Sequence, residues 1–236
     1  MKSETMSQLL KDRKAKRAVV LATNLVTGDQ ALVYPADAKG ALAEQSEVLE
    51  AAREALCSDR NTTVETPGGD VFIHVYNPAL RFIIIGAVHI AQPLARMASM
   101  AEYDVTVVDP RGSFATDERF PGVTLRTDWP DEALAEIAPD RRTAVITLTH
   151  DPKLDDPALE VALKSDAFYI GSLGSRRTHG ARLERLGKLG FSDTDMARIH
   201  GPVGLSLGAK SPGEIAVSIL AQVTGVLHGS NQKAAA

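Results

Sequence analysis

The sequence predicts an α/β protein, in which a parallel-sheet domain over residues 79–236 follows a small α+β domain over residues 1–78. After Asn77-Pro78, apolar strands alternate with helical segments, and this alternation indicates parallel strands covered by helices on both faces. The first of these strands turns into a helix at Gly86, and the second ends at Asp109. Together these features predict a Rossmann-like fold, in which ligands bind beyond the carboxyl ends of the strands.

The small first domain is predicted from a hairpin, a helix and a strand. Two short β-branched runs within residues 17–32 flank the turn residues Thr27-Gly28-Asp29, which is typical of a hairpin. Residues 41–56 carry apolar side chains at helical spacing. A strand over residues 71–76 then follows the turn Pro67-Gly68-Gly69.

The second domain is predicted to contain at least four parallel strands joined by helices. The strands cover residues 81–85, 104–108, 143–148 and 167–170, and the helices cover residues 90–100, 131–137, 156–164, 176–189, 194–199 and 212–227. Pro157 is expected at the first position of the third helix, where its missing N–H costs nothing. Ser211 and Glu214 form the pattern of a capping box before the last helix.

Charge and cysteine content narrow the classes of function. Lys and Arg total 26 against 30 Asp and Glu, so a broad nucleic-acid or anionic-membrane surface is not expected. The single cysteine, Cys57, can form no internal disulfide and no thiolate metal site by itself. No signal peptide and no apolar run of about 20 residues is present, as a membrane span would need. We therefore expect a cytoplasmic protein with no metal site and no nucleic-acid or membrane partner.

The segment GAVHIA resembles the glycine-rich phosphate loop of dinucleotide-binding folds. Gly86 takes the place of the first glycine, while Val88 stands where the central glycine would be. Gly86, Ala87, Val88 and His89 are predicted to border a phosphate at a helix N-terminus.

Asp109 and Arg111 are predicted to bind ligand together. Asp109 ends the second strand, where an acidic residue accepts hydrogen bonds from a ribose hydroxyl. The alternative is a turn in which Asp109 and Arg111 pair in solvent.

Two further strand ends are predicted to contribute to the same site. The loop from Gly171 to Arg177 contains Gly171, Gly174 and Ser175 followed by Arg176 and Arg177, a pattern suited to hydrogen-bonding and neutralising phosphate. A plain helix start with surface arginines is the alternative. His150 follows the 143–148 strand and is a candidate ligand contact. No catalytic residue is assigned, because zinc-hydrolase, nucleophile-elbow and Walker motifs are absent from the sequence.

At these residues the sequence resembles the XdhC/CoxI family of accessory proteins for molybdenum enzymes of the xanthine dehydrogenase class. The similar stretches are IIIGAVHIAQPLARMA, VTVVDPR, FYIGSLGSRRTHGARLERL and IHGPVGLSLGAKSPGEIAVSILAQV. The resemblance implies a chaperone that binds molybdenum cofactor, as molybdopterin or its dinucleotide form, and delivers it to the apo-hydroxylase. A cysteine desulfurase and a second copy of the chain are further candidate partners.

The resemblance is weaker upstream, and two other functions stay open. The family's Gly-Gly-Cys motif is replaced by Gly40-Ala41-Leu42, so sulfur transfer by this chain is not expected. The first alternative is an NAD(P)-dependent oxidoreductase with His150 or His89 as proton donor. The second is an interaction protein with a vestigial nucleotide pocket, for which Val88 and the missing cysteine argue.

Overall fold

The computed structural model describes residues 3–229, and the chain divides into two compact units at Pro78. Unit 1 comprises residues 3–78 and unit 2 comprises residues 79–229. Within the described residues, no helix is both long enough and apolar enough to cross a bilayer.

Unit 1 is built around an antiparallel sheet. Its elements are α1 (Ser3–Lys14), β1 (Val19–Asn24), β2 (Gln30–Val33), β3 (Ala38–Gly40), α2 (Ser46–Ser58), β4 (Thr62–Val64) and β5 (Val71–Tyr76). The strand order is β3-β2-β1-β5-β4, and the predicted hairpin is the antiparallel pair β1 and β2. The predicted helix begins later than expected, at Ser46, because residues 41–44 form turns.

The two faces of this sheet are covered by different helices. On one face, Val48, Ala52 and Leu56 of α2 pack against inward side chains of β1, β2 and β5. On the other face, Leu9 of α1 belongs to a smaller cluster that includes Tyr34. The Tyr34 hydroxyl donates a 2.7 Å hydrogen bond to a buried carboxylate of α1. Burial and this hydrogen bond raise the pKa of Tyr34 to about 12.

Unit 2 contains a parallel sheet in the Rossmann strand order, which confirms the predicted fold class. Its elements are β6 (Arg81–Ile85), α3 (Ala91–Met100), β7 (Asp104–Val108), β8 (Thr124–Arg126), α4 (Pro130–Ile137), β9 (Thr143–Thr147), α5 (Pro152–Leu163), β10 (Tyr169–Ser172), α6 (Arg176–Lys188), α7 (Asp193–Met196), β11 (Ile199–His200) and α8 (Pro212–Leu227). The six-stranded order is β11-β10-β9-β6-β7-β8. The order reverses between β6 and β9, and ligands of such sheets bind at this switch point.

Helices cover both faces of the sheet, as the apolar strands require. One core joins α3 and α8 to the sheet through residues such as Leu94 and Ile219. The opposite core joins α4, α5 and α6 to the sheet through residues such as Leu134, Leu159 and Leu186. Because strands β6 and β9 are buried on both faces, they are apolar throughout rather than alternating.

Three predicted boundaries in unit 2 were wrong. Helix α5 begins at Pro152, where the Asp151 side chain accepts from the Lys153 N–H, so Pro157 lies inside the helix rather than at its start. Strand β10 continues to Ser172, because Ile170 to Ser172 pair with β9. The predicted helix over residues 194–199 ends at Met196, and the following residues form the short strand β11.

Candidate functional site

The carboxyl ends of the parallel strands bring most of the predicted site residues to one edge of unit 2. The turn after β6 lies between the ends of β7 and β9, and β10 and β11 extend the edge beyond β9. We call this edge the strand-end rim. It is formed by segments that are far apart in sequence, so their side-chain partners decide what each can do.

The turn after β6 requires glycine at its first position. Gly86 has a φ of +105°, and a Cβ built there would lie 2.4 Å from the Thr149 Cγ2 atom. Ala87 is fully buried, Val88 is half-buried and His89 is exposed. The backbone therefore turns tightly against the end of β9, while the imidazole of His89 faces solvent.

Asp109 is fully buried, and both of its carboxylate oxygens are already engaged. One oxygen accepts from the backbone N–H and from Nε of Arg111, at 3.0 and 2.9 Å. The other accepts from the Ala87 N–H and from Nη2 of Arg111, both at 2.8 Å. A carboxylate offers about four lone-pair sites, so no acceptor is left for a ribose hydroxyl unless one of these bonds breaks.

This arrangement makes Asp109 a brace between two strand ends. Burial by itself raises its pKa, but the hydrogen bonds from Arg111 and Ala87 outweigh burial and hold the pKa of Asp109 below its usual range. Arg111 also lies 4.7 Å above the ring of Phe114, which fixes the other side of its guanidinium. The predicted pair therefore exists, and its contact with a ligand stays a prediction.

The end of β9 is held by a buried carboxylate that sequence analysis did not identify. Thr149 Oγ1 donates a 2.6 Å hydrogen bond to Asp155, and burial raises the pKa of Asp155. The second oxygen of Asp155 lies 3.9 Å from the buried guanidinium of Arg182, whose Nη2 donates to the Leu173 carbonyl at 2.8 Å. His150 is exposed with a φ of +64°. These bonds fix the loops on both sides of the rim.

The residues of the predicted Gly171–Arg177 loop have different roles. Gly171 lies inside β10, where a Cβ would come within 2.6 Å of Val203 Cγ2, so its expected place in the loop was wrong. Gly174 has a φ of +143°. The Ser175 side chain caps α6 by accepting from the Thr178 N–H at 3.1 Å.

A cleft of about 590 Å³ lies at the ends of β10 and β11, against the first turns of α8, and we call it the α8 cleft. Its lining comes from the β10–α6 loop, from residues 200–209 and from α8, and it consists of Leu173, Gly174, Arg176, His200, Gly201, Pro202, Val203, Gly204, Leu205, Ser206, Leu207, Gly208, Ala209, Ile215, Ser218 and Gln222. Within the described part of the chain, Arg176 lines this cleft and Arg177 does not.

Sequence analysis assigned residues 200–209 no role in the site. The available signal was three glycines, Gly201, Gly204 and Gly208, ahead of the capping box at Ser211. Gly204, at a φ of +96°, has no room for a Cβ, which would lie 2.5 Å from Ser218 Oγ. Among residues 3–229, no three His, Cys, Asp or Glu side chains are grouped to hold a metal ion.

Comparison with known proteins identifies the family of unit 2. Residues 82–223 match the XdhC Rossmann domain family, and this range contains the whole strand-end rim and the α8 cleft. A crystal structure described as a xanthine dehydrogenase from Bacillus halodurans superposes with a TM-score of 0.71 at 26% identity, covering 97% of this chain and 68% of that chain.

Two curated bacterial proteins are similar in sequence. The molybdenum cofactor insertion chaperone PaoD of Escherichia coli is 35% identical over 154 residues, which is 65% of this chain and 42% of PaoD. A Bacillus subtilis protein named as a probable xanthine dehydrogenase component is 31% identical over 155 residues, which is 65% of this chain and 45% of that protein. The chain thus spans less than half the length of these relatives.

Proposed function

The chain belongs to the XdhC family through its Rossmann domain, and from that membership we propose that it is an accessory protein that binds molybdenum cofactor and delivers it to a hydroxylase of the xanthine dehydrogenase type. The observation that carries the proposal is the family match over residues 82–223, because this range includes every strand end that forms the rim. The similarity to PaoD, named as a cofactor insertion chaperone, supports the same role.

The rim suits a protein that holds a cargo and releases it. Phosphate would be received by the turn at Gly86 and by Arg176, since backbone N–H groups and a guanidinium both donate to anions. His89 in that turn and Arg176 are both exposed to solvent, so a cargo could pass to a partner without unfolding of the chain. These side chains bind and orient, and we assign none of them to a bond-breaking step.

The form of the cofactor follows from the state of Asp109. Its oxygens are filled by Ala87 and Arg111, so a ribose at the usual dinucleotide position gains no acceptor there. We therefore propose molybdopterin as the preferred cargo over its dinucleotide form. The same argument weakens the NAD(P)-dependent oxidoreductase alternative, because nicotinamide dinucleotides use this acceptor.

Two further partners belong to the proposal, a cysteine desulfurase and a second copy of the chain. Cys57, the single cysteine in the sequence, is exposed in the last turn of α2 and suits a reducing compartment such as the cytoplasm. Light scattering on the purified chain would test self-association. Co-purification with a tagged desulfurase would test the other contact.

The delivery role is tested by producing a xanthine dehydrogenase-type hydroxylase with and without this protein. We expect hydroxylase made in its presence to contain more molybdenum and more extractable pterin per enzyme molecule. Equal loading in both preparations would contradict delivery. Turnover of NAD(P)H by the purified chain would instead favour the oxidoreductase alternative.

A further inference from the structure

We propose that the α8 cleft binds the ring of a phosphorylated pterin, with Arg176 holding the phosphate and Gln222 donating hydrogen bonds to the ring. The choice of pterin rests on the proposed function, whereas the cleft and its donors are features of the structure. The proposal places the main anchor of the ligand at β10, β11 and α8 rather than at the Gly86 turn.

The orientation of the Gln222 amide is fixed by its neighbours. The Gly204 backbone N–H donates to Gln222 Oε1 at 2.8 Å, and a backbone N–H can only donate. The Tyr169 hydroxyl donates to the same oxygen. The Nε2 amino group therefore points away from both, and within residues 3–229 it has no hydrogen-bond acceptor. Gln222 lines the cleft, so its two N–H groups are available to a ligand there.

The floor of the cleft offers a second polar group in an apolar setting. His200 stacks on the buried ring of Tyr169, with centroids 4.6 Å apart and planes 6° from parallel. Burial lowers the pKa of His200, which favours a neutral imidazole with one donor and one acceptor nitrogen. Leu173, Val203 and Ile215 supply apolar lining. Apolar lining with a few placed polar groups is typical of pockets for flat organic ligands.

The charge of the cleft favours an anion. Arg176 lines its edge, and none of the lining residues in the described chain carries a carboxylate. The volume of about 590 Å³ falls within the range of about 300–1,000 Å³ that is usual for small-molecule sites. A heterocycle with acceptor atoms for Gln222 and a phosphate for Arg176 matches this combination. Pterins and purine nucleotides share that chemistry, so an experiment must separate them.

The experiment uses the full chain and three probes, namely neopterin monophosphate, guanosine monophosphate and inorganic phosphate. Quenching of pterin fluorescence reports binding of the first, and the other two are added as competitors. We expect saturable binding of neopterin monophosphate, weaker competition by guanosine monophosphate, and little competition by inorganic phosphate. Stronger binding of the guanine nucleotide than of the pterin would overturn the pterin assignment.

Three variants locate the site. Arg176→Ala should weaken binding of neopterin monophosphate about tenfold or more, since it removes a charge-assisted hydrogen bond. Arg177→Ala is the matched control, because it removes a neighbouring charge that does not line the cleft. Gln222→Glu keeps an oxygen for Gly204 and Tyr169 but replaces the amino donor with an acceptor. It should weaken binding about tenfold or more while leaving the circular dichroism spectrum unchanged.

The results also separate this proposal from the delivery role. If Arg176→Ala and Gln222→Glu bind the pterin as tightly as the original chain, the cleft is not the site. If no probe binds while the hydroxylase still gains cofactor, the cleft proposal is wrong and the delivery role stands. If the pterin binds with the expected variant pattern but hydroxylase loading does not change, the delivery role is wrong and the site stands.

Discussion

Replacing Gly86 with alanine should destabilise unit 2 through two separable effects. An alanine at the observed φ of +105° is strained, which costs about 1–3 kcal/mol. The new Cβ would also lie 2.4 Å from Thr149 Cγ2, and relieving such an overlap costs about 1–3 kcal/mol. We therefore expect Gly86→Ala to lower the free energy of unfolding by about 2–6 kcal/mol.

A second substitution isolates the overlap. Thr149→Ser deletes the methyl group that meets the new Cβ but keeps the hydroxyl that donates to Asp155 at 2.6 Å. By itself it should cost at most about 1 kcal/mol, the value of one buried methyl group. In the double variant the overlap is gone while the backbone strain remains. The two substitutions should therefore show a favourable coupling of about 1–3 kcal/mol.

The assay follows the fluorescence of Trp129 during urea unfolding. Trp129 is the single tryptophan of the sequence and precedes α4, so its signal reports on unit 2. Far-UV circular dichroism of each folded variant provides the control for retained structure. Effects that add within about 0.5 kcal/mol would show that Gly86 and Thr149 do not meet as described and would refute the argument.

Three further substitutions test the bonds that hold the site. Asp109→Asn should lower stability at pH 7 by about 2–4 kcal/mol, because Arg111 loses its buried partner. The folded pKa of Asp109 lies below the unfolded value near ~3.9, so this stabilisation is present above about pH 4 and lost as the pH falls through the folded pKa; a stability gap that stays constant into acid would contradict this. Ser211→Ala should cost about 1 kcal/mol in thermal unfolding by removing the cap of α8, and no loss would show that the cap is dispensable. Arg185→Lys should cost about 0.5–1 kcal/mol, since lysine cannot reproduce the two-pronged contact with Asp156, and a lysine variant of unchanged stability would argue against that contact.

Much of unit 2 could be predicted because its signals are local. The strands at 81–85 and 104–108 were predicted with their observed bounds, since each is a short β-rich run before a turn. Helix α8 was predicted with its observed bounds because Ser211 and Glu214 form the capping box that the sequence suggested. Strands β8 and β11 were missed, because two or three residues carry no periodicity of their own.

The sequence by itself determined the order of strands and helices, the glycine at the first turn and the family to which the chain belongs. These depend on neighbours in sequence, on hydrophobic spacing and on short motifs that can be matched directly. They bring Gly86, Asp109 and the loop before Arg176 to one edge of a parallel sheet, because all carboxyl ends of such a sheet lie on the same side.

Only the tertiary structure decided what those residues contact. Asp109 receives the N–H of Ala87 from the end of a different strand, and this bond, with those from Arg111, fills the carboxylate that sequence analysis assigned to a ribose. Gly171, expected in a loop, lies inside a strand because it pairs with both β9 and β11. The α8 cleft exists because β11 and α8 meet across residues 200–209. Hydrogen bonds and cavities of this kind join segments that are distant in the chain, so no local pattern records them.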